Sequence, residues 1–421
     1  MELRTIYSKN NQDKEMRFSQ FLREDALELA LPTEVRSAII DKGGKIYQVG
    51  GAVRDDMLGK VSKDLDLLVV GLELKDLSTL LTRFGKTNLV GKAFGIIKFV
   101  PDGATEEIDI SVPRIDSKST GKGHKDFEVK LGKGITLTQD QLRRDFWMNA
   151  MARDVETGEI HDIDKKGQTD IDNQQIRVIG DQAFKEDPLR MLRAVQFAAR
   201  FDFKIESETM KQIKRNVNLI KTVSPERFQE EFKKMFEKGT PSIGVDLLKE
   251  TGILKKLFPK AKGIFPVEYD KLDKKAFPAF LAVLLRGQKS KDIQSAMKLS
   301  NEDTNAVSDV LKYMAMRDVD SDVGLVRYMR TASPKGIQNV NFVLKAQRKI
   351  DLDYRLNSMR RVGKPTSMKE LAVNGRDMAK AGFRGREIGD ALTYLLDYAV
   401  ENGKNDKDHL LSIAKGKYGK S

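Results

Sequence analysis

The segment Gly50–Asp66, GGAVRDDMLGKVSKDLD, holds the residues whose types and spacing point most directly to chemistry. Side chains alternate along a strand, so Asp64 and Asp66 point to one side of an extended chain. Both carboxylates then reach the same pair of hard cations. Mg²⁺ ions held this way neutralise a nucleoside triphosphate and activate an attacking hydroxyl for in-line displacement. A bare Asp-x-Asp is equally an exposed strand with two solvated acids, and its context separates the two readings. Val49, Gly50 and Gly51 end a predicted strand and open a predicted helix, Ala52–Leu58. Glycines there let the backbone approach a phosphate, and the helix start offers it free N–H groups. Arg54, one turn in, carries a guanidinium able to grip phosphate oxygens.

Other spacings add to this. In Glu186–Phe201, EDPLRMLRAVQFAARF, Pro188 suits the first turn of a helix, and Asp187, Arg190 and Arg193 follow at i, i+3 intervals. A carboxylate beside a guanidinium can pair with the edge of a base. It accepts from an exocyclic amine while the guanidinium donates to ring nitrogen or carbonyl, an arrangement that suits A and C. Without the upstream residues, an intrahelical ion pair would be the default reading. Leu142–Ala152, LRRDFWMNAMA, is expected to be helical from an N-cap near Thr138, with Asp145 and Asn149 four residues apart on one face.

The elements that must position these residues are a mixed head and a helical remainder. Short β-rich runs (Ile46–Val49, Leu65–Val70, Ile96–Val100, Ile108–Val112) alternate with helical stretches such as Leu74–Arg83. Ser117–Gly134, rich in Gly, Lys and Ser, reads as a mobile loop around one short strand, and Val155–Ile163 as a hairpin turning at Thr157-Gly158. After Pro188 the apolar spacing is helical throughout, with a linker at Arg361–Ser367. The expected layout is a lead-in helix within 1–40, a catalytic head over 41–154, neck helices over 155–260, a helical body over 261–362 and a helical tail over 363–421.

The totals exclude several classes. With no cysteine and only three scattered histidines, thiolate and histidine-rich metal sites are ruled out as expectations. The N-terminal stretch lacks a signal-peptide core, and Ala276–Leu285, the most apolar piece, is too short to span a membrane. A soluble, cytoplasmic protein with no membrane partner is expected, and no protein partner is evident. The formal charge of +13 suits a polyanionic partner.

Gly50–Gly71 resembles the first motif of the class II tRNA nucleotidyltransferases, the family of CCA-adding enzymes and bacterial poly(A) polymerases. The resemblance is dense over Lys45–Gly239, returns over Val373–Lys415 and is weak in Phe258–Arg361. It implies an α+β fold: a DNA-polymerase-beta-like nucleotidyltransferase head, with a small mixed sheet and helices, followed by an all-helical neck, body and tail. It implies that Asp64 and Asp66 are metal ligands for two Mg²⁺ ions, with Asp109 as third carboxylate and Glu107 the weaker candidate. By the same resemblance Gly51 and Arg54 contact the triphosphate, while Arg144, Asp145 and Asn149 bind the ribose and phosphates. Asp187 and Arg190 act as an amino-acid template for the base, with Arg193 beside them. Asp164–Gly167 matches a short third motif. Arg227, Glu231 and Lys234 match a helix-stabilising network. Arg376, Arg384 and Arg386 lie in a tail that holds tRNA, where Gly375, Gly382, Gly385 and Gly389 punctuate helices. Two departures are visible: Trp147 stands where a small residue is usual, expected as core filling, and Gln196 where an arginine is frequent. The implied activity is addition of the 3′-terminal CCA to tRNA from CTP and ATP, with pyrophosphate released. Partial CC- or A-addition, poly(A) addition, or a silent RNA-binding protein on the same fold are the alternatives.

Overall fold

Apolar residues at alternate positions build the sheet, and helical spacing covers it. The computed structural model describes residues 31–60, 65–90, 95–116, 129–262 and 267–419. Asp64, most of the Ser117–Gly134 loop and the polar lead-in lie outside the described residues. The chain divides between Leu219 and Ile220 into two compact units.

In the first unit, α1 (Thr33–Asp41) leads into β1 (Lys45–Val49), α2 (Gly51–Met57), β2 (Asp66–Val70), α3 (Leu74–Leu81), β3 (Gly85–Val90), β4 (Ile96–Pro101) and β5 (Ile108–Ser111). A small antiparallel pair, β6 (Arg114–Asp116) with β7 (Val129–Leu131), precedes α4 (Leu137–Leu142), β8 (Ala152–Asp154) and β9 (Ile160–His161). The main sheet has the order β3-β4-β5-β2-β1-β8-β9. Only the β2–β5 pairing within it is parallel. Leu67, Val69, Ile97, Phe99, Ile108 and Ile110 point to one face, where Val35 and Ile39 of α1 and Leu77 and Leu81 of α3 pack on them. Each such fully buried side chain contributes about 1.5–3 kcal/mol. The period of two then fixes Asp66, Lys98 and Asp109 on the opposite face.

The expected hairpin forms between β8 and β9, with Gly158 at φ 73° in the turn. After α5 (Lys166–Asp172) and α6 (Ala183–Glu186), α7 spans Leu189–Phe201. It is the central helix of this unit: ten of its thirteen residues are buried, Arg190 and Gln196 among them. Pro188 occupies its N-cap, and the Asp187 carboxylate accepts the Leu189 N–H at 3.1 Å, so an acid sits at the positive end of the helix.

The expectation of one helix over Leu142–Ala152 is corrected. The helix starts earlier, at a capping box formed by Thr136 and Gln139, and ends at Leu142. Asp145 accepts the backbone N–H of Phe146 and the side-chain amide of Asn149, which diverts the chain from helical bonding. Phe146 is extended and fully buried, and a single 3₁₀ turn, Trp147–Asn149, follows.

The named elements of the second unit are helices. Pro225–Lys238 packs Phe228 against Phe232 at a tilt, and stacks its Phe236 on Phe280 of the wholly buried helix Phe277–Leu284. Lys234 pairs with Glu230 and Glu231 on the same helix, as the spacing predicts for the last two. Helices Gly375–Lys380, Arg386–Asn402 and Lys407–Tyr418 make the tail. Among the described residues no helix is long and apolar enough to cross a membrane.

Candidate active site in the head

The strand register brings the acids together. Asp66 on β2 is the direct partner of Asp109 on the parallel neighbour β5. The two carboxylates therefore share the open face and stand side by side, where like charges destabilise unless a cation lies between or beside them. Glu107 lies just before β5 and is more exposed than Asp109. The donor set fits a hard cation, since every candidate ligand is a carboxylate oxygen. Among the described residues no group of three or more such ligands is complete, and Asp64 is outside them.

At the end of β1 the chain turns at Gly50 with φ 75° and ψ −136°. L-residues hardly populate this region. A Cβ on Gly50 would stand 3.4 Å from Arg144 Nη1 and 3.8 Å from Asp66 Oδ2, so the turn, the guanidinium and the carboxylate converge on one spot. Gly50→Ala is expected to destabilise the head by about 1–3 kcal/mol through the strained backbone. It is also expected to weaken nucleoside triphosphate binding severalfold by crowding Arg144. Thermal melts together with CTP titration check both halves, and an unchanged affinity would detach the turn from the site.

Arg144 is anchored rather than free. Its Nη2 donates to Asp140 at 3.1 Å, and Arg143 pairs with the same acid at 2.7 Å. Asp140 has no exposed side-chain surface. Burial alone would raise its pKa, but the Arg144 and Arg143 guanidiniums outweigh it and hold the carboxyl below the usual range.

Arg54 does not lie on the open face; it is 3% exposed. Its Nε and Nη2 both donate to Asp55 Oδ1, at 2.8 and 2.6 Å, and its Nη1 donates to Asn149 Oδ1 at 2.5 Å. The guanidinium lies 4.6 Å from the ring centre of Phe201 and 5.3 Å from that of Phe197, and Arg200 adds a contact to Asp55 at 3.2 Å. Its head folds back over Gly51, whose Cβ would meet it at 3.1 Å.

Helix α7 is docked onto the loop after α4 by its two arginines. Arg193 binds Asp145 through Nε at 2.8 Å and Nη2 at 2.7 Å. Arg190 Nη2 donates to the Arg143 carbonyl at 2.5 Å, while Nη1 reaches Glu186 at 3.3 Å. Burial pushes the Asp145 carboxyl up, but Arg193, Asn149 and the Phe146 N–H together bring it below its ordinary value. Arg144, Asp145, Asn149, Arg54, Arg190 and Arg193 are thus linked by contacts within one unit, and Gly50 and Asp66 lie next to Arg144. Asp187 starts the same helix. Trp147, expected as core, is only half-buried; the Lys166 ammonium covers its ring at 4.5 Å, and Phe146 fills the core instead.

Comparison with known proteins bears on the head and on the fold. Residues 46–177 match the model of the poly A polymerase head domain, and residues 202–264 that of the probable RNA and SrmB-binding site of polymerase A. Over these two segments the chain is similar to the tRNA nucleotidyltransferase/poly(A) polymerase family.

Relatives include a multifunctional CCA protein of Nitrosomonas europaea, 39% identical over 225 residues, covering 53% of this chain and 52% of the relative. A CCA-adding enzyme of Pseudomonas entomophila is 35% identical over 227 residues, covering 52% of this chain and 57% of the relative. The chain spans about half the length of the curated relatives it matches. Among solved structures, the Bacillus stearothermophilus CCA-adding enzyme in complex with CTP superposes with TM-score 0.67 at 25% identity, covering 94% of this chain and 98% of that one. The Thermotoga maritima CCA-adding enzyme complexed with tRNA_CCA shares the fold, with TM-score 0.64 at 22% identity over 93% of this chain and 97% of that one.

Several residues of the site were not singled out from the sequence. Asp140 was readable as the i−3 and i−4 neighbour of Arg143 and Arg144, and Arg200 as lying two turns beyond Arg193. Asp55 and Lys98 carried no signal, because only the fold brings their partners near. Gln196 is 2% exposed and packed inside the unit. In the tail, Arg376, Arg384 and Arg386 are all exposed, with Gly385 as N-cap of the long helix at φ 51°. Gly389 lies inside that helix and does not punctuate it, which corrects the expectation from its spacing.

Proposed function

We propose that this chain is a template-independent tRNA nucleotidyltransferase that builds or repairs the 3′-terminal CCA of tRNA from CTP and ATP. The observation that carries the reading is the register pairing of Asp66 with Asp109 beside the Gly50 turn and Arg144. Asp64, Asp66 and Asp109 would hold two Mg²⁺ ions. Mg²⁺ held there would supply charge neutralisation for the triphosphate and Lewis-acid activation of the attacking hydroxyl. The 3′-hydroxyl of tRNA attacks the α-phosphorus and pyrophosphate leaves, so the protein's part is mostly positioning and charge.

Gly51 and the Gly50 turn give the phosphates close backbone approach, and Arg144 meets them from the side. Asn149, held by Arg54, and Asp145, held by Arg193, shape the ribose and phosphate wall. Asp187 and Arg190 read the base. Arg190 keeps one Nη on the Arg143 carbonyl, and its other contact, to the exposed Glu186, is the weak one that a base edge replaces. The tail arginines Arg376, Arg384 and Arg386 would meet the tRNA backbone. A cleft of about 310 Å³ on the tail is lined by Lys380, Lys407 and Lys415 together with Asp377, which pairs with Lys407 at 2.6 Å, and so keeps a net positive charge.

The test supplies Mg²⁺, labelled CTP or ATP, and tRNAs ending before, within or after CCA. Incorporation of C, C and A followed by a stop is the expected result. A long A tail would make the chain a poly(A) polymerase, an arrest after CC or a single A a partial enzyme, and no incorporation an RNA-binding protein on this fold.

A further inference from the structure

On the open face of the sheet, Lys98, Asp109 and Asp66 form one row across three neighbouring strands. Lys98 on β4 is the register partner of Asp109, and Asp109 is the register partner of Asp66. The Lys98 ammonium lies 2.7 Å from Glu107 Oε1 and 3.2 Å from Asp109 Oδ1, and so bridges both candidates for a third carboxylate. A surface pair of this kind adds little stability, since the Lys98 side chain is 34% exposed and those of Glu107 and Asp109 44% and 43%. Its position is what matters. A fixed positive charge stands beside carboxylates that would take divalent cations, and repels a cation brought to them.

We propose that Lys98 is a built-in counter-ion which competes with the divalent cation for Asp109 and thereby sets how much metal the head requires. This rests on Asp66 and Asp109 being the cation ligands named above. With the ammonium in place, the like charges opposed across β2 and β5 are partly neutralised and Asp109 is held toward β4. A cation that takes Asp109 must displace the ammonium, which stays close on its flexible stem. Lys98 is therefore a positioning residue, acting through Asp109.

The experiment is binding of Mn²⁺ alone to the full chain, followed by electron paramagnetic resonance of the free ion. Lys98→Met keeps the apolar stem and removes the charge. It is expected to bind Mn²⁺ roughly three- to tenfold more tightly than the parent, the range allowed by solvent and salt screening at this exposed face. Lys98→Arg is expected to stay near the parent, and Asp66→Asn and Asp109→Asn to weaken binding in either background. If Lys98→Met leaves the affinity unchanged or lowers it while the two carboxylate variants weaken it, Lys98 is no competitor and the inference is overturned alone. If the carboxylate variants bind Mn²⁺ like the parent, the cation site itself falls and the inference with it. Thermal melts of each variant keep a folding defect from passing as lost binding.

Discussion

Asp66→Asn is expected to leave tRNA binding within about twofold of the parent and to lower single-turnover incorporation of CTP by roughly a thousandfold. Asparagine has nearly the shape of aspartate but no charge, so the strand and its register with β5 should persist. What disappears is the anionic oxygen that faces Asp109 across the parallel pair. Removing one of two like charges side by side should leave the melting temperature unchanged or raise it. That separates a chemical defect from a structural one, because a variant that merely misfolded would melt earlier. Labelled CTP incorporation, a tRNA filter-binding curve and a melt read the three quantities. Transfer within tenfold of the parent would remove Asp66 from the ligand set.

Arg54→Met should act differently, by loosening the head. Arg54 and Asp55 are both largely buried, at 4% and 12% side-chain exposure. Removing one partner of a buried ion pair costs about 3–5 kcal/mol, because the charge left behind has lost its compensation. Arg200 still touches Asp55, so the lower end, about 3 kcal/mol, is expected. For a unit of this size that lowers the melting temperature by roughly 6–12 °C. Methionine retains packing against Phe197 and Phe201 but loses the cation–π part of those contacts. Arg54→Lys should recover little, since a point charge cannot chelate Asp55 and reach Asn149 together. A phosphate contact makes the opposite forecast: an unchanged melt with a large rise in KM for CTP. The two outcomes decide whether Arg54 is a strut under Asn149 or a grip on the triphosphate.

The strands and the principal helices were legible because their patterns are local. Alternation marked β1, β2, β4 and β5 to within about a residue, and Leu189–Phe201 was visible from its apolar spacing and from Pro188. The break after Leu142 was not. Periodicity over Leu142–Ala152 is compatible with a helix, and only the Asp145 carboxylate, turned back on Phe146 and Asn149 and fastened by Arg193 from a distant helix, shows why the chain leaves it. Arg54 is the same lesson at one residue. Its place after Gly50-Gly51 suggests an open guanidinium, while its burial depends on Phe197 and Phe201 arriving from α7. Pairwise geometry across long sequence separation is not encoded in any window of the chain. Asp109 was named on resemblance, but its exact partner, Asp66, needed the register.

The order of the strands has a kinetic meaning. β3, β4 and β5 are successive antiparallel neighbours, so they can assemble as a meander from nearby sequence. The β2–β5 pairing is parallel and must close over everything between them, a loop whose entropy cost falls due before its contacts form. That late closure is also the step that first sets Asp66 beside Asp109. A partly folded head, even with its meander complete, therefore lacks the Asp66–Asp109 pairing. The β1–β8 pairing closes a longer loop still, so the two carboxylates on β2 and β5 come together only through contacts distant in sequence.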